Sequence, residues 1–147
     1  MDVETSVARV AGERLRGANQ RVTPNRAALL DALAGASRPL TIPELLDRTP
    51  GLAQSSAYRN LVLLEEVGIV HRIVTDGEHS RYELAEDLTG HHHHHLICTN
   101  CGSVEDVAAS PRLERSVESA ISEIERATGF RAADHRVDVI GRCRRCA

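Results

Sequence analysis

Every cysteine of the chain falls into one of two Cys-x-x-Cys pairs, Cys98/Cys101 and Cys143/Cys146, and a run of five histidines, His91 to His95, ends just before the first pair. Four thiolates in two short pairs supply the tetrahedral sulfur set that a structural Zn²⁺ takes, each pair forming a knuckle that offers two sulfurs. Between the pairs lie 41 residues, 102 to 142, far more than a compact zinc ribbon holds. The intervening stretch is therefore expected to be a folded element that the ion closes.

The core must be built from Leu, Val, Ile and Ala, because aromatic residues are limited to Phe130, Tyr58 and Tyr82. So few rings also argue against a base-stacking surface for single-stranded nucleic acid. No signal peptide is visible, and the apolar runs fall far short of the ~20 residues a spanning helix needs. Paired cysteines without a secretory signal favour metal ligation in a reducing compartment. The expectation is a cytoplasmic protein with no membrane partner.

The net charge of -3 does not describe a generally basic nucleic-acid binder. Distribution matters more: Arg9, Arg14, Arg16, Arg21 and Arg26 face only Glu13 over the same stretch, five positive charges against one negative. That excess suggests either a basic arm or the solvated face of a helix.

The first unit is expected over 1–84, and from about Ser6 to Leu84 it reads as helices followed by a hairpin. Thr23-Pro24 caps a helix running through Leu29, Leu30 and Leu33 toward Gly35, and Thr41 with Glu44 has the spacing of a capping box. A third helix starts near Gln54-Ser55, carries Ala57, Leu61 and Leu64 on one face, and stops at Gly68. The β-rich runs Ile69 to Thr75 and Ser80 to Leu84 then flank the turn signal Asp76-Gly77. This order is that of a winged helix-turn-helix, whose helix before the hairpin enters the major groove of double-stranded DNA. The start of that helix offers Ser55, Ser56, Tyr58, Arg59 and Asn60, with Gln54, as donors to phosphates and base edges.

Residues 85–90 form a polar connector, and residues 91–147 a smaller αβ unit. Strands are expected over His92 to Cys98, Ser103 to Val107 and His135 to Ile140. A helix opens at Ser110-Pro111, with Leu113, Val117, Ala120, Ile121, Ile124 and Thr128 on one face before Gly129. Too small for an independent enzyme, this unit is expected to dimerise. The fold class is α+β: an N-terminal winged helix, then an αβ dimerisation domain with a four-cysteine zinc site.

An internal histidine run that merges into Leu96-Ile97-Cys98 is not a purification tag. In an extended strand His93 and His95 face one way and His92 and His94 the other, which creates two metal half-sites. Neutral imidazole suits Zn²⁺, Fe²⁺, Ni²⁺ and Cu²⁺, and carboxylates would complete either shell. Residues able to complete either set are His71, His79, Glu83, Asp106, Glu114 and His135. Glu83 and His71 lie before the connector, so ligation by either would tie the two units together through an ion.

The residues Ser56-Ala57-Tyr58-Arg59-Asn60-Leu61, Gly68-Ile69-Val70, His91 to Gly102 and His135 ahead of Cys143 resemble, in order and spacing, the ferric uptake regulator family of metal-dependent repressors. The resemblance implies a homodimer that binds palindromic operators when metal is bound, controlling metal homeostasis genes. It implies a structural zinc at Cys98, Cys101, Cys143 and Cys146. It also implies an inter-domain regulatory site at His93, His95 and Glu83, joined in some members by the positions of His71 and Asp106. A further site would use His92, His94, His135 and Glu114. Arg21 aligns with a basic residue that enters the minor groove, and Tyr58 and Arg59 with recognition-helix contacts. Ala85 stands where zinc-sensing relatives commonly have cysteine, and Glu83 where peroxide-sensing relatives have Asp, so the regulatory ion is left among Zn²⁺, Fe²⁺, Ni²⁺ and Mn²⁺.

Two other classes fit parts of the pattern. A zinc-dependent hydrolase could use the His-rich site to activate water, but no His-Glu-x-x-His helix is present. A dithiol redox protein is disfavoured because both cysteine pairs are needed for one zinc.

Overall fold

The helices begin where short-range chemistry dictates. Thr23, in extended conformation, accepts the N–H of Arg26 and opens α2 (Pro24–Ala34), while Thr41 and Glu44 cap each other's backbone N–H at the start of α3 (Ile42–Arg48). The structure, a computed structural model, describes residues 3–147 and the side chains from Ser6 onward, so the first two residues of the expected 1–84 unit lie outside it. Ahead of α2 runs α1 (Val3–Gly17). Val7, Ala11 and Leu15 recur along one of its faces and are buried. Up to Gly17 the basic stretch is therefore a helix face rather than an arm: Arg9 and Arg16 are exposed, and Arg9 pairs with Glu13 one turn on.

Helix α4 (Gln54–Glu66) buries Ala57, Leu61 and Leu64 against α2 and α3. The chain then enters β2 (Val70–Ile73) and returns in β3 (Arg81–Leu84), antiparallel with Val70 opposite Leu84. Both strands are shorter than the β-rich runs of the sequence, and Asp76-Gly77 sits inside a loop spanning 74–80 rather than in a two-residue turn. A third strand, β1 (Leu40–Thr41), pairs with the other edge of β3 to give the order β1-β3-β2.

The connector is not a polar loop. Its middle forms α5 (Glu86–Thr89), whose Leu88 is buried in the same core as α1, α2 and α4. Ala85 N–H bonds Ile69 O, and Arg14 of α1 binds both Gly68 O and the Asp87 carboxylate. Leaving α5 through the left-handed Gly90, the chain enters a second sheet. Strand β4 (His93–Cys98) is central, flanked by antiparallel β5 (Val104–Ala108) and parallel β6 (Asp138–Gly141). Helix α6 (Pro111–Thr128), capped by Ser110, links β5 to β6 and buries none of its residues. No helix among the described residues is long and apolar enough to cross a membrane.

The two sheets meet at a small contact. Ile73 of β2 packs with Ile97 and Val104 of the second sheet, and the Arg81 Nε–H donates to Gly102 O at 2.9 Å. Gly102 has φ +69, and a Cβ there would stand 3.3 Å from the Gly77 Cα. Left-handed backbone costs a residue with a side chain about 1–2 kcal/mol, and the crowding pushes the 74–80 loop away. Gly102→Ala should therefore lower the melting temperature by about 2–8 °C. Thermal unfolding followed by circular dichroism checks this, and an unchanged midpoint would show the contact to be slack.

Candidate metal centres and nucleic-acid interface

Parallel pairing of β4 with β6 sets Cys98 opposite Gly141 and so brings the two cysteine knuckles together. The four sulfurs form one cluster, with Cys101 Sγ 3.8 Å from Cys143 Sγ and no disulfide among them. A tetrahedron with 2.3 Å zinc–sulfur bonds has an edge of about 3.8 Å. Backbone N–H groups of Cys101, Cys143 and Asn100 pull the Cys98 thiol down to about 6. Asn100 pulls on Cys146 as well, but its neighbouring sulfurs and burial push it up to about 11. Sulfurs that cannot all ionise together unaided are what a dication would complete.

On one side of β4, Glu83, His93, His95 and Asp106 converge. Glu83 reaches from β3 across the junction, with Oε2 3.0 Å from His93 Nε2 and Oε1 2.9 Å from His95 Nε2. Asp106, directly opposite His95 in the β4/β5 register, lies 3.7 Å from both rings. Although close to Glu83, the His95 Nε2 is buried and lacks a properly directed hydrogen bond. Burial works against the Glu83 carboxylate, yet His95 and His93 hold its pKa below the ordinary value. Asp106 is raised by burial and by Glu83 beside it. Two imidazoles and two crowded carboxylates fit a divalent cation.

His71, paired across the hairpin with Glu83, is not within that cluster but lines the same cavity of about 460 Å³ with Glu83, His93 and His95. Burial and Arg136 lower its pKa, favouring the neutral ring. His79 lies in the 74–80 loop, where its carbonyl accepts from Thr75, and joins no cluster.

On the other side His92, His94, Glu114 and His135 gather. Glu114, in the first turn of α6, lies 2.5 Å from His94 Nε2, 2.8 Å from His135 Nε2 and 3.1 Å from His92 Nε2. The hydrogen bond from His94 leads the interactions that lower its pKa.

Two acids missed from the sequence touch these histidines. Asp138 lies 3.3 Å from His95 Nδ1, and Glu86 lies 2.7 Å from His92 Nδ1. A carboxylate in the connector beside a histidine run was the available signal for Glu86; Asp138 had none, because strand pairing alone brings it there.

Gln54, Ser55, Tyr58 and Arg59 present an exposed row at the start of α4, and Arg21 is exposed ahead of α2. Ser56 is half-buried. Asn60 turns inward instead: its Nδ2 donates to Ser56 O at 2.8 Å and its Oδ1 accepts from Arg26 Nε at 3.0 Å. Arg26 also donates to Arg21 O at 2.6 Å. Asn60 thus ties α4 to the backbone of Arg21.

A winged helix joined to an αβ unit bearing three donor clusters defines a metal-responsive DNA-binding regulator. The ferric uptake regulator family model matches residues 17–140. The ferric uptake regulation protein of Bacillus subtilis is 31% identical over 142 residues, covering 91% of this chain and 90% of that one. The peroxide-responsive repressor PerR of Staphylococcus aureus is 31% identical over 140 residues, covering 90% and 86%. The Helicobacter pylori regulator Fur has the same fold, with a TM-score of 0.76 over 99% of this chain and 94% of that one at 21% identity. The chain belongs to the ferric uptake regulator family. It is a transcriptional regulator, not an enzyme, and the hydrolase reading finds no support. Members of this family bind operator DNA as dimers.

Proposed function

We propose that the chain is a cytoplasmic, homodimeric repressor in which an ion held by Glu83, His93, His95 and Asp106, with His71 at the edge of the cavity, switches on operator binding. The reading divides the chain into a DNA-binding domain, 1–84, a connector, 85–90, and a dimerisation domain, 91–147. Structural zinc belongs to Cys98, Cys101, Cys143 and Cys146, and a further ion to His92, His94, Glu114 and His135. Zn²⁺ or Fe²⁺ fits the regulatory donor set, as do Ni²⁺ and Mn²⁺. The observation that carries the reading is Glu83: it belongs to the wing, yet its two oxygens face His93 and His95 of the other sheet.

Charge alone cannot drive the switch. From -3 per chain, four thiolates with one Zn²⁺ add -2 and two further dications add +4, which leaves about -1. Geometry has to act: Glu83, His93 and His95 fix the wing against the dimer unit so that two α4 helices sit ~34 Å apart, one turn of duplex. A second copy is supported by α6, which buries nothing while Ile124 and nearby Phe130 are 53% and 65% exposed.

The test is a metal titration of binding to a labelled palindromic AT-rich duplex, repeated for Arg59→Ala and Arg21→Ala. Both variants should bind more weakly, with metal content and dimerisation intact. Loss of one phosphate contact should also reduce the salt slope by about one counterion. Wild-type binding that ignores metal, or variants with unchanged affinity, would sink the reading.

A further inference from the structure

Glu86 touches both histidine clusters at once. Its Oε2 lies 2.7 Å from His92 Nδ1, and its Oε1 accepts the backbone N–H of His93 at 3.1 Å. The opposite nitrogen of His92, Nε2, is the one that faces Glu114 and His135, at 3.1 and 3.3 Å. A carboxylate on Nδ1 keeps the proton there and turns the Nε2 lone pair toward the cluster, which fixes both tautomer and ring orientation.

The other end of Glu86 is anchored in the opposite half of the molecule. It opens α5, whose Leu88 is buried in the helical core, whose Asp87 is held by Arg14 of α1, and which follows the Ala85 N–H bond to Ile69 O. Glu86 therefore moves with the winged helix, while His92 directly precedes β4 of the second sheet. The cluster of His92, His94, Glu114 and His135 contains no ligand from the winged-helix half. Glu86 is its link to that half.

Resting on the proposed metal-activated repressor, we infer that Glu86 is a positioning residue that couples an ion at His92, His94, Glu114 and His135 to the winged helix and to the neighbouring cluster. Ordering His92 against Glu86 holds α5 against β4, and this same arrangement places His93 opposite Glu83. Filling one cluster lowers the ordering cost of the other, so the two should fill cooperatively.

The experiment uses the full-length dimer with its cysteine site filled. Co²⁺ alone is titrated into the two histidine clusters of the wild type, Glu86→Gln, His92→Ala and the double variant, followed by the visible d–d absorption and by operator binding in parallel. The glutamine keeps the size of the side chain but not its charge. Glu86→Gln should weaken the His92 cluster by about 10–100-fold, the range for losing such a carboxylate partner. It should also abolish cooperativity between the clusters and move the metal midpoint of operator binding upward. In the His92→Ala background the substitution should have little further effect on Co²⁺ affinity, because its partner is gone.

Wild-type Co²⁺ affinity and cooperativity in Glu86→Gln, or fully additive effects in the double variant, would overturn the coupling. If wild-type operator binding does not respond to Co²⁺ while the absorption cycle still shows coupling, the repressor reading fails and the Glu86–His92 linkage stands.

Discussion

Replacing Cys101 with serine is expected to dismantle the C-terminal half. Apparent binding free energies for structural zinc of about 10–16 kcal/mol match or exceed the whole stability of a domain, about 5–15 kcal/mol. The apolar core available to compensate is small: Ile73, Ile97 and Val104 form its buried cluster, and α6 buries nothing. Without the fourth sulfur, the β6 knuckle loses its tie to the end of β4, and with it the parallel pairing that places His135 and Asp138 beside the histidines. The helical core around Leu29, Leu45, Leu61 and Leu64 does not depend on the ion and should survive. The expected result is loss of zinc, loss of the dimer in sedimentation, and rapid proteolysis beyond residue 90 with the N-terminal half resistant. A dimeric, protease-resistant Cys101→Ser protein would remove the structural role. Acid should act in the same direction, because ligation requires thiolate. Zinc release should therefore follow acidification, and zinc content measured along an acid titration checks it.

What could be read from the residues was what neighbours in sequence decide. Thr23-Pro24 and the Thr41/Glu44 pair act within one helical turn, so the starts of α2 and α3 were legible to the residue. What tertiary pairing decides was not. Leu40–Thr41 is a strand only because β3 lies alongside, and α5 is a helix because Leu88 finds a core to enter. Neither carries a periodic signal in so few residues. In α1 the stripe Val7, Ala11 and Leu15 has helical spacing and is buried, so this helix is also local in origin. The metal clusters divide the same way. Alternation along one strand is local and separates His93 and His95 from His92 and His94 before any fold is known. Glu86, Asp138 and the inward Asn60 act through partners 6, 43 and 34 residues away, and two of those three separations are beyond any spacing argument.

The His93→Ala, His95→Ala double variant should abolish metal-activated operator binding, with no response up to metal concentrations that saturate the wild type. These rings supply both nitrogens of the cluster that includes Glu83; the Ile73 contact, the Arg81–Gly102 bond and the Glu86 bonds that remain between the two halves include no ligand of that ion. The ion then has no differential affinity for the DNA-competent arrangement, and a ligand without such a difference shifts no equilibrium. His92→Ala with His94→Ala leaves Glu83, His93, His95 and Asp106 in place, so activation should persist with its metal midpoint raised. Protons compete for the same lone pairs. Burial disfavours the charged His95 ring, but Glu83, Asp138 and Asp106 together outweigh it and raise its pKa above the ordinary 6.5. A raised pKa means that the proton is held more tightly. Metal activation should therefore weaken as pH falls, starting from a higher pH than a free imidazole would set, and recover fully as the ring is deprotonated. Operator-binding titrations of the wild type and both double variants across pH 5.5 to 8 give the comparison. Equal loss in the two double variants would mean that the faces of β4 do not act separately, and a wild-type midpoint indifferent to pH would mean that His95 does not ligate.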